Sequence, residues 1–313
     1  MIENCNASKN PVEANFDIKK FIGVASINIL AVNPKNATLN KYGWEVPEGA
    51  EEPKYLYTKT NEDGKVTNSV RICFLCQITD IDYKPLVMLN FFCRPELRVN
   101  RDGTKVQVID VYGRTAWATK EEVQNKAIPQ YTNGPASIST PYKMCHHGEE
   151  EIIAFLMKYL NVTPFMKFDS VTRVASPNKN PGKLTIDNWA KICAGDMSEI
   201  VDYLSRQPDN KLKIVLGVKL TDNNKSYQTF LPGCFLGNGS RVDYTAGEYT
   251  NAAKKIKDFA ERNGEDGYVW SAKPVTEWKL EANDVQDNSE SMFEQETASA
   301  SATVEEEKDD LPF

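Results

Sequence analysis

The densest set of residues able to do chemistry lies between Arg94 and Trp117. Arg94, Arg98, Arg101, Lys105 and Arg114 stand there against three acids, Glu96, Asp102 and Asp110, and the rings of Tyr112 and Trp117 are interleaved with them. Guanidinium and ammonium groups pair with phosphates, and flat rings stack on nucleobases. That combination holds single-stranded polynucleotide without any reactive group. Tyr42, Trp44, Tyr55, Tyr57 and Lys59 extend the set upstream, and Arg71 adds another base. The ordinary role of each ring is core packing, and that of each base is a solvated surface. The cluster carries more weight than its members.

Other chemistries find less support. Cys73, Cys76, Cys93, Cys145, His146 and His147 have the residue types of a zinc site. Cys73 and Cys76 lie three apart in a strand pattern, however, so they point to opposite faces. No metal or other cofactor is expected. The chain has no Gly-rich phosphate loop with Lys-Ser/Thr, no Gly-x-Ser-x-Gly and no His-Glu-x-x-His. Its two histidines are adjacent, so no catalytic residue is assigned and the expectation is a protein that is not an enzyme. A metal-dependent nuclease with widely separated carboxylates remains an alternative.

Elements must place these residues. Phe21–Val32 is rich in β-branched residues and ends at Asn33-Pro34, which reads as a long strand with a possible bend at Gly23. A loop with a short helix around Ala37–Lys41 follows and displays Tyr42 and Trp44. Asp63-Gly64 joins Tyr55–Thr60 to Val70–Ile78 in a hairpin. Alternation puts Val70, Ile72, Phe74, Cys76 and Ile78 on a core face and groups Tyr55, Tyr57 and Lys59 on the partner strand. Leu86–Cys93 is a strand apolar on both sides, and Asp102-Gly103 turns into a strand over Lys105–Ala118 that Gly113 breaks or bulges.

The second half is mixed. Helices are expected over Glu149–Leu160, Asp187–Cys193, Met197–Ser205 and Gly247–Asn263. A third hairpin spans Lys211–Leu220 and Tyr227–Leu236, and a last strand runs over Tyr268–Leu280. The fold class is mainly β, within α+β. The expected architecture is an oligonucleotide-binding (OB)-like β-barrel with long hairpins and helical insertions over about 145–265. An open-sheet α+β domain is the alternative. Residues 1–17 form an N-terminal arm, 18–280 the DNA-binding domain and 281–313 an acidic tail too polar to order itself.

The 313 residues carry a formal charge of -7, which looks wrong for a nucleic-acid binder. The tail from Glu281 holds eleven acids and one base, a net of -10, leaving 36 bases and 33 acids in residues 1–280, a net of +3. No apolar run of 18 residues occurs, so no membrane span is expected, and polar Met1–Asn15 does not read as a signal peptide. Seven cysteines scattered through apolar segments fit a reducing compartment.

The chain closes on Glu305, Glu306, Glu307, Lys308, Asp309, Asp310, Leu311, Pro312 and Phe313. A ring and a carboxylate within one residue suit a pocket with an apolar floor and a basic rim. This tip resembles the ends of single-stranded DNA-binding proteins of bacteria and tailed phages, in which acids precede an apolar-Pro-Phe end. The stretch Lys105–Thr119, with Val-Tyr-Gly-Arg-Thr-Ala-Trp, is also similar to replication proteins of large tailed phages. The resemblance implies a coat for exposed DNA in phage replication and recombination, in the cytoplasm of the infected bacterium. Asp309, Asp310, Leu311, Pro312 and Phe313 then recruit polymerase, primase or helicase, and self-association into a homo-oligomer is left open. An interaction adaptor that never touches DNA is a further alternative.

Overall fold

One 13-residue strand, β1 (Lys20–Val32), organises the chain because its alternating Phe21, Ala25 and Ile27 point into one core. The computed structural model describes residues 19–60, 64, 66–110, 115–124, 142–161, 166–169, 171–177, 186–205, 212–221, 225–237, 239–264 and 267–279. After β1 come α1 (Asn36–Lys41), β2 (Leu56–Thr60), β3 (Val66–Ile78) and β4 (Leu86–Cys93). Next are β5 (Val106–Asp110), β6 (Thr115–Ala118), α2 (Lys120–Gln124) and β7 (Tyr142–Met144). Then follow α3 (Glu149–Tyr159), β8 (Met166–Phe168), β9 (Ala175–Pro177), α4 (Trp189–Cys193) and α5 (Ser198–Ser205). The described chain ends with β10 (Leu212–Leu220), β11 (Ser226–Leu236), β12 (Val242–Asp243), β13 (Glu248–Tyr249), α6 (Thr250–Asn263), β14 (Tyr268–Trp270) and β15 (Thr276–Trp278).

The main sheet runs β11-β10-β1-β3-β2, with β4 on β3, β14 on β10 and β15 on β1. Every ladder is antiparallel. β1 divides its pairing: Gly23–Ile27 lie on β10 and Ile27–Val32 on β3, with a register shift between Ile29 and Ala31. A second sheet has the order β6-β5-β7. Among the described residues no sheet closes into a barrel, so the barrel expectation is met only as far as a mainly β chain with antiparallel sheets. α3 packs on the β4 and β11 side of the main core. There Phe155 lies 5.0 Å from Phe91 and 5.5 Å from Phe235, ring centre to ring centre. Phe91 in turn lies 4.9 Å from Phe230, so rings join β4 to β11.

Two long-strand expectations need correction. Lys105–Ala118 is not one strand: β5 and β6 fold back on each other, pairing Gln107 with Trp117. Likewise Tyr268–Leu280 is two pieces, β14 on β10 and β15 on β1, because Pro274 sits between them and its lack of an N–H interrupts a ladder. α6 starts at Thr250 rather than Gly247, since Glu248 and Tyr249 are taken by the β12 pairing.

The chain divides into two units, Met1–Trp278 and Lys279–Phe313. The N-terminal arm and, past Lys279, the whole acidic tail lie outside the described residues. Among the described residues no helix is long and apolar enough to cross a membrane.

Candidate nucleic-acid interface

Alternation along β3 turns Val70, Ile72, Phe74, Cys76 and Ile78 into the main core and Ser69, Arg71, Cys73, Leu75 and Gln77 to the other face, where Cys73 and Leu75 are buried as well. Register then aligns three strands on that outer face. Arg71 stands opposite Phe92 of β4, and its backbone N–H donates to the carbonyl of Tyr55, just before β2, at 2.7 Å. Tyr57 lies opposite Ser69, and the backbone of Lys59 lies opposite Thr67. The result is a row, Tyr55–Arg71–Phe92, with Tyr57 in the next row.

The row is locked from behind. The Arg71 guanidinium carbon lies 5.1 Å from the Tyr55 ring centre, within cation–π range. One Arg71 terminal nitrogen donates to the Lys54 carbonyl at 2.9 Å. The Tyr55 hydroxyl donates to the Pro34 carbonyl at 2.7 Å, which ties the β1–β2 connection to the sheet. Burial pushes the Tyr55 phenol well above its ordinary range, Cys73 adds to this, and Arg71 pulls against it. The Arg71 Nε is buried and has no hydrogen-bond partner among the described residues. A guanidinium held beside a ring, with Phe92 in register on its other side, is suited to pair with a phosphate.

Phe92 is 54% exposed, an unusual position for a Phe, and Tyr57 is 39% exposed. The end of β4 is held by the segment before α3. The Arg94 N–H donates to the His147 carbonyl at 3.1 Å, and Arg98 donates to the Cys145 carbonyl at 2.9 Å. Gly148, at φ +83°, presses on β4: an added Cβ would meet the Phe92 carbonyl oxygen and the Cys93 sulfur. Below it, buried Glu149 accepts from the His146 backbone and ring, each at 3.0 Å, and pairs with Lys143. His146 stacks near Trp189, whose Nε1 donates to the Arg94 carbonyl at 3.0 Å.

Of the residues that sequence singles out, Tyr55, Tyr57 and Arg71 come together on one face. Tyr42, at the end of α1, has Lys41 5.5 Å over its ring, and Trp44 is half-buried after it. Both sit in the β1–β2 connection that the Tyr55 hydroxyl fastens. That connection also carries Glu45, Glu48, Glu51 and Glu52, which dilute its positive potential. Arg94 follows β4 directly. Arg98 is committed elsewhere: it pairs with Glu150 at 2.5 Å, and Gln107 donates to the same carboxylate at 2.7 Å. Arg101 and Lys105 are exposed at the turn before β5, and Trp117 stands on β6 in the separate small sheet. Tyr112, Arg114, the Lys59 side chain and the tip Asp309–Phe313 lie outside the described residues.

Phe92 is the member that sequence reasoning missed. The signal was present in a strand apolar on both faces, where one face must be the exposed one. Cys73 and Cys76 do point to opposite faces, and both are buried. Among the described residues no group of three or more His, Cys, Asp or Glu side chains is arranged to hold a metal ion. Comparison with family models, with curated proteins and with solved structures gives no match.

Proposed function

We propose that this chain binds single-stranded DNA along the outer face of β2, β3 and β4 and protects exposed strands during phage replication and recombination. The single observation that carries the reading is the Tyr55–Arg71–Phe92 row. It sets a cation between two rings in register and leaves the outer ring, Phe92, open to solvent. Stacking on such rings contributes about 1–3 kcal/mol per base and tolerates any sequence. No step of this function needs an enzyme's reactive group.

An OB-like reading of the strand order belongs to the same proposal. β1, β3 and β4 form an antiparallel meander, α3 lies between β4 and β10 in sequence, β10 returns to β1, and β11 pairs with β10. The free edges of β4 and β11 then meet through Phe91 and Phe230. A five-stranded, partly open barrel that presents its second and third strands to an oligonucleotide has this order. Here those strands are β3 and β4, which carry Arg71 and Phe92.

The acidic tip, Asp309 to Phe313, is the partner-recruiting element of the proposal, addressed to polymerase, primase or helicase in the host cytoplasm. The test is an anisotropy titration of labelled oligothymidylate against the full chain at several salt concentrations. Binding that weakens steeply with salt is expected. Absence of salt-sensitive binding would remove the proposal in favour of an adaptor that never contacts DNA.

A further inference from the structure

A second row of the same composition lies on the other side of β1. Register pairs Lys219 of β10 with Tyr227 of β11 on one side and with Tyr268 of β14 on the other. Directly paired residues share a face, so Tyr227, Lys219 and Tyr268 line up as ring, cation, ring. The Lys219 ammonium lies 5.6 Å from the Tyr268 ring centre.

This row is also rigidly backed. Tyr268 stacks on Trp270 at 5.7 Å with planes 7° apart, and Phe259 of α6 meets both rings edge-on at 5.2 and 5.6 Å. Trp270 lies on Gly217, where any Cβ would collide with the indole ring. Gly217 therefore serves close approach, and the strand there gives up a side chain to seat a ring. Tyr227, by contrast, is 53% exposed. Lys254, Lys255 and Arg262 of the neighbouring α6 are exposed as well.

The two rows stand near opposite ends of β1. Arg71 lies just past the far end, since Asn33 exchanges hydrogen bonds with Cys73. Lys219 lies beyond the start, because β10 leaves β1 after Leu216, the partner of Gly23, and pairs with β14 from Gly217 to Lys219. Thirteen residues of strand span roughly 40 Å when straight. A mononucleotide cannot reach both rows, whereas an extended polynucleotide can.

We infer that Lys219, Tyr227 and Tyr268 form a second base-stacking station for single-stranded DNA, engaged only when the strand is long enough to reach it from the Arg71 row. The inference rests on the proposed function above. Like the first row, it joins a positive charge for phosphate to rings for bases, and its exposed Tyr227 matches the exposed Phe92.

The test compares oligothymidylates of about 6 and about 30 nucleotides, lengths on either side of a single binding face. The full chain is used with Tyr227→Ala and Tyr227→Phe. Because Tyr227 is exposed on β11, both variants are expected to melt with the wild type. Tyr227→Ala should leave the short oligomer unchanged and weaken the long one about tenfold, and Tyr227→Phe should restore it. Unchanged affinity for the long oligomer overturns the station. Equal weakening at both lengths overturns the extended path. If the wild type binds neither length, the failure belongs to the DNA-binding reading itself.

Discussion

Arg71 and Tyr55 are joined twice: by a 2.7 Å backbone hydrogen bond and by a guanidinium carbon 5.1 Å from the ring centre. The first contact fixes register and the second fixes a charge. Together they hold a cation at the middle of a three-strand face whose outer member, Phe92, is left open.

That geometry separates binding from stability at Phe92. Phe92→Ala should weaken oligothymidylate binding by about 1–3 kcal/mol. Being a solvent-facing change, it should alter folding stability by no more than about 0.5 kcal/mol. Paired anisotropy titrations and thermal melts check both. A large fall in melting temperature with unchanged affinity would make Phe92 a packing residue.

Arg98 should show the opposite split. Its 2.5 Å pair with Glu150, joined by Gln107, ties the β4–β5 connection to α3. Both partners keep a third or more of their side-chain surface exposed, so solvent screening limits the contribution to about 1 kcal/mol or less. Arg98→Ala should lower the melting temperature by about 2–4 °C or less. DNA affinity should change little, and a loss comparable to that of Phe92→Ala would place Arg98 on the DNA.

Gly148 is strained for any other residue and has backbone against it. Gly148→Ala should destabilise by more than about 1 kcal/mol, since φ +83° is unfavourable and the Phe92 carbonyl blocks the methyl group. Chemical denaturation reads the cost. A fall in DNA affinity at temperatures where the variant stays folded would show that the position also sets Phe92.

Legibility in the sequence followed local rules. The β3 core face was readable because Val70, Ile72, Phe74, Cys76 and Ile78 place an apolar residue at every second position. α1, α3, α4 and α5 lie where helical patterns placed them, α3 with its acidic start. Fold-back was harder: β5 and β6 look like one strand because both are β-prone, and only Gly113 hinted at the reversal. The Arg71–Phe92 pairing depends on register between strands, which no local pattern contains. Arg98 looked like a phosphate ligand because its acidic partner, Glu150, is 52 residues away.

The buried thiols predict an alkaline limit. Burial raises Cys73 from an ordinary 9.0 to about 11 and Cys145 from 9.0 to about 12. Below about pH 9 both states keep these protons, so the thiols add no pH dependence. Between about pH 9 and 12 the unfolded chain ionises first, so stability should fall as pH rises. Denaturation midpoints across this range test the sign. At neutral pH the native thiols should also resist alkylation until the protein unfolds.

For the tail, removing Glu305–Phe313 deletes five acids, one base and the terminal ring. If the acidic leash competes with DNA as a tethered ligand, the truncated chain should bind DNA more tightly at low salt. It should also fail to capture replication partners. Unchanged affinity in a low-salt filter-binding titration would remove the competition.

β4 and β11 meet through phenylalanine rings, and among the described residues no backbone ladder joins them. Such a seam can shear by rotamer changes, where a zipped edge would have to break N–H···O hydrogen bonds. The wall carrying Phe92 therefore has one compliant border and, at β3, one stiff border. If DNA settles on that wall as proposed, a slight outward lean of β4 would accommodate it while Arg71 stays put.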